Sequence, residues 1–338
     1  MGRLIKALAV ALFILFISGT SQVYVLWPYS EWGLKSFALY LSFNALVILL
    51  YVNFYLTYIT PSGHPPAQWN PHWTETISLA TPRRKFRYCR TCNSFKPPRT
   101  HHCQHCKKCI LKMDHHCQLI DNCIGYRNLG HFVRFLFYAE VSSVYCLVLM
   151  GASLYDTLTG INNPMNPRIP TSTALLFSAL NFALTLFTSL LAGMFLISQL
   201  FCVLSNTTTI ESWEKAKVDK LIRSKSIPPT KYPFDLGIYR NLCSLLGPSP
   251  LFWLFPQPML GDGLAFGYVD GTDPYGWPPR NPEDPSPSWR VYREDGESSD
   301  DEEEREVLDS EHGPISVVVV PENGFGLRKG REGRANDG

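Results

Sequence analysis

The sequence predicts an α-helical integral membrane protein with four transmembrane helices and a polar, cysteine-rich module in the loop between the second and third. Three observations predict it. Long apolar runs are confined to residues 1–206 of the 338, and the remainder is polar and rich in Pro and Gly. Seven of the ten cysteines and six of the nine histidines stand between Arg87 and Phe132. The segment Thr60 to His131 carries eleven Lys and Arg against three acidic residues, the bias that marks a loop kept on the cytosolic side. The formal charge of +2 conceals a basic middle and an acidic tail, and no nucleic-acid partner is expected.

The N-terminal hairpin occupies residues 1–59, with helices over about 4–26 and 37–59, each near the roughly 20 apolar residues that a bilayer requires. The run Ala7 to Ile17 also has the length of a signal-peptide core. No small-x-small cleavage site followed by a polar start is seen, and apolar sequence resumes through Trp27 and Tyr29, so a retained span with an interfacial aromatic anchor is expected. Asn44 and Asn53 read as hydrogen-bonding contacts to other helices. Residues 60–131 form the cytosolic cysteine-rich loop, with its core over 87–131. Residues 132–205 carry the third and fourth helices, about 133–155 and 174–204. Glu140 lies inside the third, where a charge faces the bundle or a wet cavity, and Arg134 is placed to snorkel to the headgroups. Residues 206–260 hold Thr208-Thr209-Ile210-Glu211, a capping arrangement for the next helix, then a broken aromatic segment expected to lie on the bilayer or under the bundle. Residues 261–338, with the charge run Asp300 to Glu306, read as a disordered tail. Both termini are expected in the cytosol, and no internal repeat is seen. Cys146, Cys202 and Cys243 read as packing residues.

The cysteine spacing is a metal signature. Cys89-x2-Cys92 and Cys103-x2-Cys106 each offer two thiolates on one tight turn, half of a tetrahedral zinc site. The closing halves come from His102, Cys109, His116, Cys117 and Cys123. Two Cys3His sites use six cysteines and leave one over. Among the candidates only Cys117 has histidines and a carboxylate beside it, in Asp114-His115-His116-Cys117. A free thiol beside an imidazole is an activated nucleophile, whereas a zinc thiolate is not. With His116 turned to zinc, His115 is free to act as base and Asp114 to orient it. A metal-only ribbon, with Cys117 as ligand or spacer, is the bland alternative.

From Cys89 to Asn128, including Lys96-Pro97-Pro98-Arg99 and Arg127-Asn128, the chain resembles the cysteine-rich domain of the DHHC protein S-acyltransferases, or palmitoyltransferases. It is most like their fungal protein fatty acyltransferase four branch. The resemblance implies one zinc on Cys89, Cys92, His102 and Cys109 and a second on Cys103, Cys106, His116 and Cys123. It implies Cys117 as nucleophile, His115 as base and Asp114 as orienter. It also makes Thr208, Thr209 and Glu211 the family's TTxE motif and Asn241 the asparagine of its C-terminal aromatic motif. The implied activity is ping-pong transfer of a long-chain acyl group from acyl-CoA, such as palmitoyl-CoA, to Cys117 and then to cysteines of membrane-associated proteins. The branch implies the endoplasmic reticulum, with chitin synthase as a client.

Arg83, Arg84, Lys85 and Arg87 are candidates to attract CoA phosphates and anionic lipid. The chain has Gln118-Leu119 where most members have Pro-Trp, and Asp121 where Asn is common. Leu119 therefore stands where the family's tryptophan touches the start of the acyl chain. Ser142 falls at the family's length-setting position, and its small side chain implies room for stearoyl as well as palmitoyl. The competing reading is a zinc-binding membrane adaptor or chaperone that has lost its chemistry. A RING ubiquitin ligase fits poorly, since the cross-braced eight-ligand order is missing.

Overall fold

The computed structural model describes residues 2–26, 33–67, 69–70, 87–161 and 170–279. All lie in one compact unit, Met1–Glu297, and Ser298–Gly338 falls outside the described residues. Among these residues four helices are long and apolar enough to cross a membrane: Gly2–Tyr24, Ser36–Ile59, Leu129–Thr159 and Ser172–Leu204. They belong to α1 (Gly2–Thr20, continued by a π-helical turn, Ser21–Leu26), α2 (Leu34–Ile59), α3 (Leu129–Ile161) and α4 (Ser172–Leu204). Leu12, Leu41, Val148, Leu190 and Phe195 are exposed along them. A helix satisfies its own backbone, so such faces are stable against hydrocarbon. The chain is a multi-pass membrane protein.

Helix α3 packs against both α2 and α4, and polar ties fix the bundle at several levels. Thr20 Oγ1 donates to Asn181 Oδ1 at 2.9 Å, and Asn44 Nδ2 to Gln22 Oε1 at 2.9 Å. Asn53, expected to reach a neighbour, instead donates to the Leu49 carbonyl of its own helix. Glu140 faces α4: Ser189 Oγ donates to its Oε1 at 3.0 Å, and a Cβ added at Gly193 would stand 3.3 Å from its Oε2. Cys146 and Cys202 are buried packing residues.

The third helix starts at Leu129, ahead of the apolar run, and Arg134 within it is buried rather than snorkelling. Its Nε donates to the Trp253 carbonyl at 2.7 Å and its Nη2 to the Leu246 carbonyl at 3.2 Å, and Tyr138 Oη donates to the Leu254 carbonyl at 2.9 Å. The aromatic segment after the fourth span is thus packed along the module-side end of α3. It contains α6 (Ile238–Leu246), which follows α5 (Thr209–Arg223), and a 3-10 turn, Pro250–Phe252. The disordered tail expected from 261 is corrected over 261–279. Trp277 is buried with Val218, Ile227, Tyr232 and Phe234, and Phe266 packs against that cluster. Composition read only the turn residues there and not these aromatic anchors. The charge run and the interfacial anchor at Trp27 lie outside the described residues.

The module is three two-stranded antiparallel hairpins: β1 (Tyr88–Cys89) with β2 (Ser94–Phe95), β3 (His101–Cys103) with β4 (Lys108–Ile110), and β5 (His115–Cys117) with β6 (Asn122–Ile124). They form an internal repeat that composition hides. Cys89, Cys103 and Cys117 stand fourteen residues apart at the same hairpin position. Each hairpin turn contains a left-handed residue four positions later: Asn93 (φ 52°), Lys107 (φ 53°) and Asp121 (φ 49°).

One buried network joins the module to the membrane bundle. Arg99 meets Glu211 in a bidentate pair, Nε to Oε1 and Nη2 to Oε2, both at 2.7 Å. Arg99 also donates to the Asn206 side chain at 3.1 Å and the Asn206 carbonyl at 2.6 Å. Tyr232 Oη donates to Glu211 Oε2 at 2.8 Å, and Lys112 Nζ donates to Asn206 Oδ1 at 3.2 Å. Burial would raise the Glu211 carboxyl, but Arg99 and these donors hold it down to about 2. Arg99→Met strands the Glu211 charge and is expected to cost about 3–5 kcal/mol, read as a lower Tm in detergent. Adding Glu211→Gln to that variant removes the stranded charge and is expected to recover part of the loss. An unchanged Tm for Arg99→Met would refute this account of the junction.

Candidate active site and metal centres

Two donor sets are brought together: Cys89, Cys92, His102 and Cys109, and Cys103, Cys106, His116 and Cys123, each with its donor atoms within 4.8 Å of one another. In the first, His102 Nδ1 lies 3.4, 3.3 and 4.0 Å from the sulfurs of Cys89, Cys92 and Cys109. In the second, His116 Nδ1 lies 3.6, 3.4 and 3.7 Å from those of Cys103, Cys106 and Cys123. Metal–sulfur and metal–nitrogen bonds of ~2.3 and ~2.0 Å on a tetrahedral ion separate S from N by roughly 3.5 Å. Both sets therefore fit a tetrahedral, thiophilic ion, with Cys3His donors.

Strand alternation sorts these residues. Opposed residues of an antiparallel pair share a face and successive residues alternate. His102 pairs with Cys109 and serves the first set, while its neighbour Cys103 serves the second. His116 pairs with Cys123 in the second set, so His115 and Cys117 face the other way. The repeat explains why Cys117 belongs to neither donor set. In the first two hairpins the leading cysteine is followed three positions on by Cys92 or Cys106, whereas in the third that position is Ile120.

On the free face, Asp114 Oδ2 accepts from His115 Nδ1 at 2.7 Å. The other ring nitrogen is directed to the Cys117 sulfur. Phe132 at the start of α3 sets its ring edge-on to the imidazole at 5.1 Å between centroids. Asp114 is buried and saturated with donors: Thr209 N–H reaches Oδ1 at 2.7 Å, and Thr209 Oγ1 and Gln199 Nε2 reach Oδ2, each at 2.9 Å. Burial would raise its carboxyl, but the bonds from His115 and Thr209 hold it below the usual range. For His115, burial is outweighed by Asp114 and Cys117, and its pKa rises to about 9. For Cys117, burial is outweighed by the imidazole and by the N–H groups of Ile120 and Leu119, so the thiol is lowered. The arrangement favours a thiolate beside an imidazolium. Cys117 belongs to one apolar cluster with Ala7, Phe54, Phe132, Leu136, Leu196 and Val203, drawn from all four membrane helices.

The remaining expected residues are placed as follows. Thr208 Oγ1 accepts from Glu211 N–H at 3.1 Å while Glu211 Oε2 accepts from Thr208 N–H at 2.8 Å, a capping box. Glu211 thus caps α5 and pairs with Arg99 at once. Asn241 Nδ2 donates to the Leu204 carbonyl at 2.6 Å and to Asp235 Oδ1 at 2.7 Å, locking α6 beneath the end of α4. Leu119 is exposed beside Cys117, and Ser142 is buried within the third span with no hydrogen-bond partner for its hydroxyl among the described residues. Arg87 is half-buried, with the carboxylates of Glu214 and Glu211 acting on its charge. Arg83, Arg84 and Lys85 lie outside the described residues. Arg99 was quoted only within the Lys96–Arg99 run and given no role, and Lys112, Asn206 and Tyr232 at the junction and Gln199 on Asp114 escaped sequence reasoning. The one signal for Gln199 was an amide near the end of an otherwise apolar run.

Residues 83–216 match the family model described as DHHC palmitoyltransferase. The chain is 37% identical over 314 residues to palmitoyltransferase PFA4 of Mycosarcoma maydis, an alignment covering 83% of this chain and 64% of that protein. It is 35% identical to the probable protein S-acyltransferase 16 of Arabidopsis thaliana, over 67% of this chain and 78% of that protein. It is 32% identical to palmitoyltransferase pfa4 of Emericella nidulans, over 81% of this chain and 67% of that protein. The family-model match takes in the metal module, the third and fourth spans and the Thr208–Glu211 motif, and the chain belongs to the DHHC palmitoyltransferase family.

Proposed function

We propose that the chain is a protein-cysteine S-acyltransferase working by two successive thioester exchanges on Cys117. The observation that carries this reading is the sorting along β5: His116 goes to a metal set, while His115 and Cys117 share the opposite face, with Asp114 holding His115. Zinc suits both Cys3His sets. When bound, it supplies structural rigidity, and Cys89, Cys92, His102 and Cys109, with Cys103, Cys106, His116 and Cys123, would hold the two ions.

In the first exchange the Cys117 proton passes to His115, and the thiolate attacks the carbonyl carbon of an acyl-CoA thioester. The CoA sulfur leaves and takes the proton back from His115. In the second, His115 receives the proton of a client cysteine, the client thiolate attacks the Cys117 thioester, and Cys117 regains the proton as it leaves. One thioester replaces another at each step, so the enzyme supplies positioning and activation rather than driving force. The apolar cluster around Cys117 suits an acyl chain, worth about 0.8 kcal/mol per buried methylene. The excess of Lys and Arg between residues 60 and 131 supports a cytosolic module and, with four spans, cytosolic termini, and the resemblance to the fungal branch supports the endoplasmic reticulum as the membrane. Clients are then membrane-associated proteins with cysteines at the cytosolic face.

Purified protein incubated with an alkynyl palmitoyl-CoA is expected to take up a hydroxylamine-sensitive label that Cys117→Ser abolishes. Bound zinc with no label in either protein would instead support an adaptor. The lowered Cys117 thiol holds a larger thiolate fraction at any given pH than an ordinary cysteine. Iodoacetamide should therefore alkylate Cys117 at neutral pH faster than a free cysteine. His115→Ala is expected to move the midpoint of the rate–pH profile upward, and an unmoved profile would remove His115 from thiol activation. At Ser142 the small side chain is expected to let stearoyl-CoA compete with palmitoyl-CoA, and Ser142→Phe to weaken stearoyl more than palmitoyl. Strong exclusion of stearoyl by the wild type would sink that assignment.

A further inference from the structure

Gln199 lies on α4 near the module-side end of the fourth span and is buried. Its Nε2 donates to Asp114 Oδ2 at 2.9 Å and to Thr209 Oγ1 at 3.2 Å. The chemistry fixes which end of the amide faces them. Thr209 directs its one hydroxyl proton to Asp114 Oδ2, so its oxygen presents lone pairs to Gln199. The group that meets two acceptors must be the NH2. The Asp114 carboxylate thus receives four donors: His115, the Thr209 amide, the Thr209 hydroxyl and Gln199. Of these only Gln199 belongs to a membrane-spanning helix. A buried amide in a span is costly unless its bonds are made, and both bonds made by this NH2 go to the Asp114–Thr209 pair. Leu196 and Val203, on the same helix, belong to the apolar cluster that contains Cys117.

We propose that Gln199 is a positioning residue for acyl transfer. It anchors Asp114 Oδ2 from the fourth span and so fixes the direction in which His115 meets the Cys117 sulfur. The inference rests on the transferase reading above. Without the anchor Oδ2 keeps only His115 and the Thr209 hydroxyl while the Thr209 amide holds Oδ1, so the carboxylate is held less tightly about its Cβ–Cγ bond and the imidazole moves with it. Proton transfer then slows, while the surface that binds acyl-CoA is unaltered.

The test uses the full chain in phospholipid nanodiscs, with single-turnover acylation of Cys117 followed across palmitoyl-CoA concentrations. Gln199→Met keeps length and volume but removes the donors. It is expected to lower the maximal acylation rate by about ten- to a hundredfold, the worth of a hydrogen bond to a charged group, with half-saturation within about twofold of wild type. Gln199→Glu sets a second carboxylate against Asp114 and is expected to lose at least as much. Gln199→His restores an N–H donor and is expected to recover part of the rate. A Gln199→Met protein that acylates at the wild-type rate overturns the proposal, as does a loss confined to half-saturation. If Gln199→Met does not fold, Gln199→His and Gln199→Glu decide, and equal rates for the two overturn it. A wild-type protein that takes no label overturns the transferase reading instead.

Discussion

A strand three residues long has two faces and no room for more than one residue to change sides. In β5 that constraint sends His116 to Cys103, Cys106 and Cys123, and leaves His115 and Cys117 on the reverse. Each hairpin is too short to be stable alone. The metal sets link them in series: the first hairpin shares a set with the second, and the second shares one with the third. Binding a structural zinc is worth roughly 10–16 kcal/mol in small domains, which is ample to hold such short strands. An ion held by each set would organise the module and leave the thiol on the face turned away from it.

Holding a thiol is not enough without a wall to place it against. The wall comes from the membrane helices, and the buried Arg99–Glu211 pair joins the two. Such a pair gains little net stability, because both charges lose their water, but its bidentate geometry admits one arrangement. The guanidinium also lies over the rings of Phe234 and Phe266, at 4.7 and 5.0 Å from their centroids. Segments far apart in sequence thus converge on one cation.

The spans, the Cys89–Cys92 and Cys103–Cys106 halves of the donor sets and the Asp114-His115-Cys117 run were legible because each rests on local composition or on spacing of a few residues, whereas the residues that close each set were implied only by the family resemblance. What stayed hidden was long-range or masked by substitution. The fourteen-residue repeat is obscured because Ile120 and Phe95 stand where its other copies have cysteine. Arg134 looked like a boundary charge, since nothing local announces that the Leu246 and Trp253 carbonyls lie over it. Residues 261–279 looked like tail because turn residues outnumber Phe266 and Trp277, although it is those two rings that pack. Gln199 was invisible for the same reason: its partner Asp114 lies 85 residues away in the chain.

The amide of Gln199 reaches Asp114 from the last turns of the fourth span, and the backbone N–H of Thr209 from just beyond it. The chain is made from its N-terminus, so the metal module is complete in sequence long before either donor exists. The carboxylate that steadies His115 acquires those contacts only after the last membrane helix has been threaded and α5 has begun. A half-made chain with both metal sets filled still lacks an oriented His115. A chain that stops before residue 209 has every residue of the two donor sets but lacks the Thr209 contacts that hold Asp114.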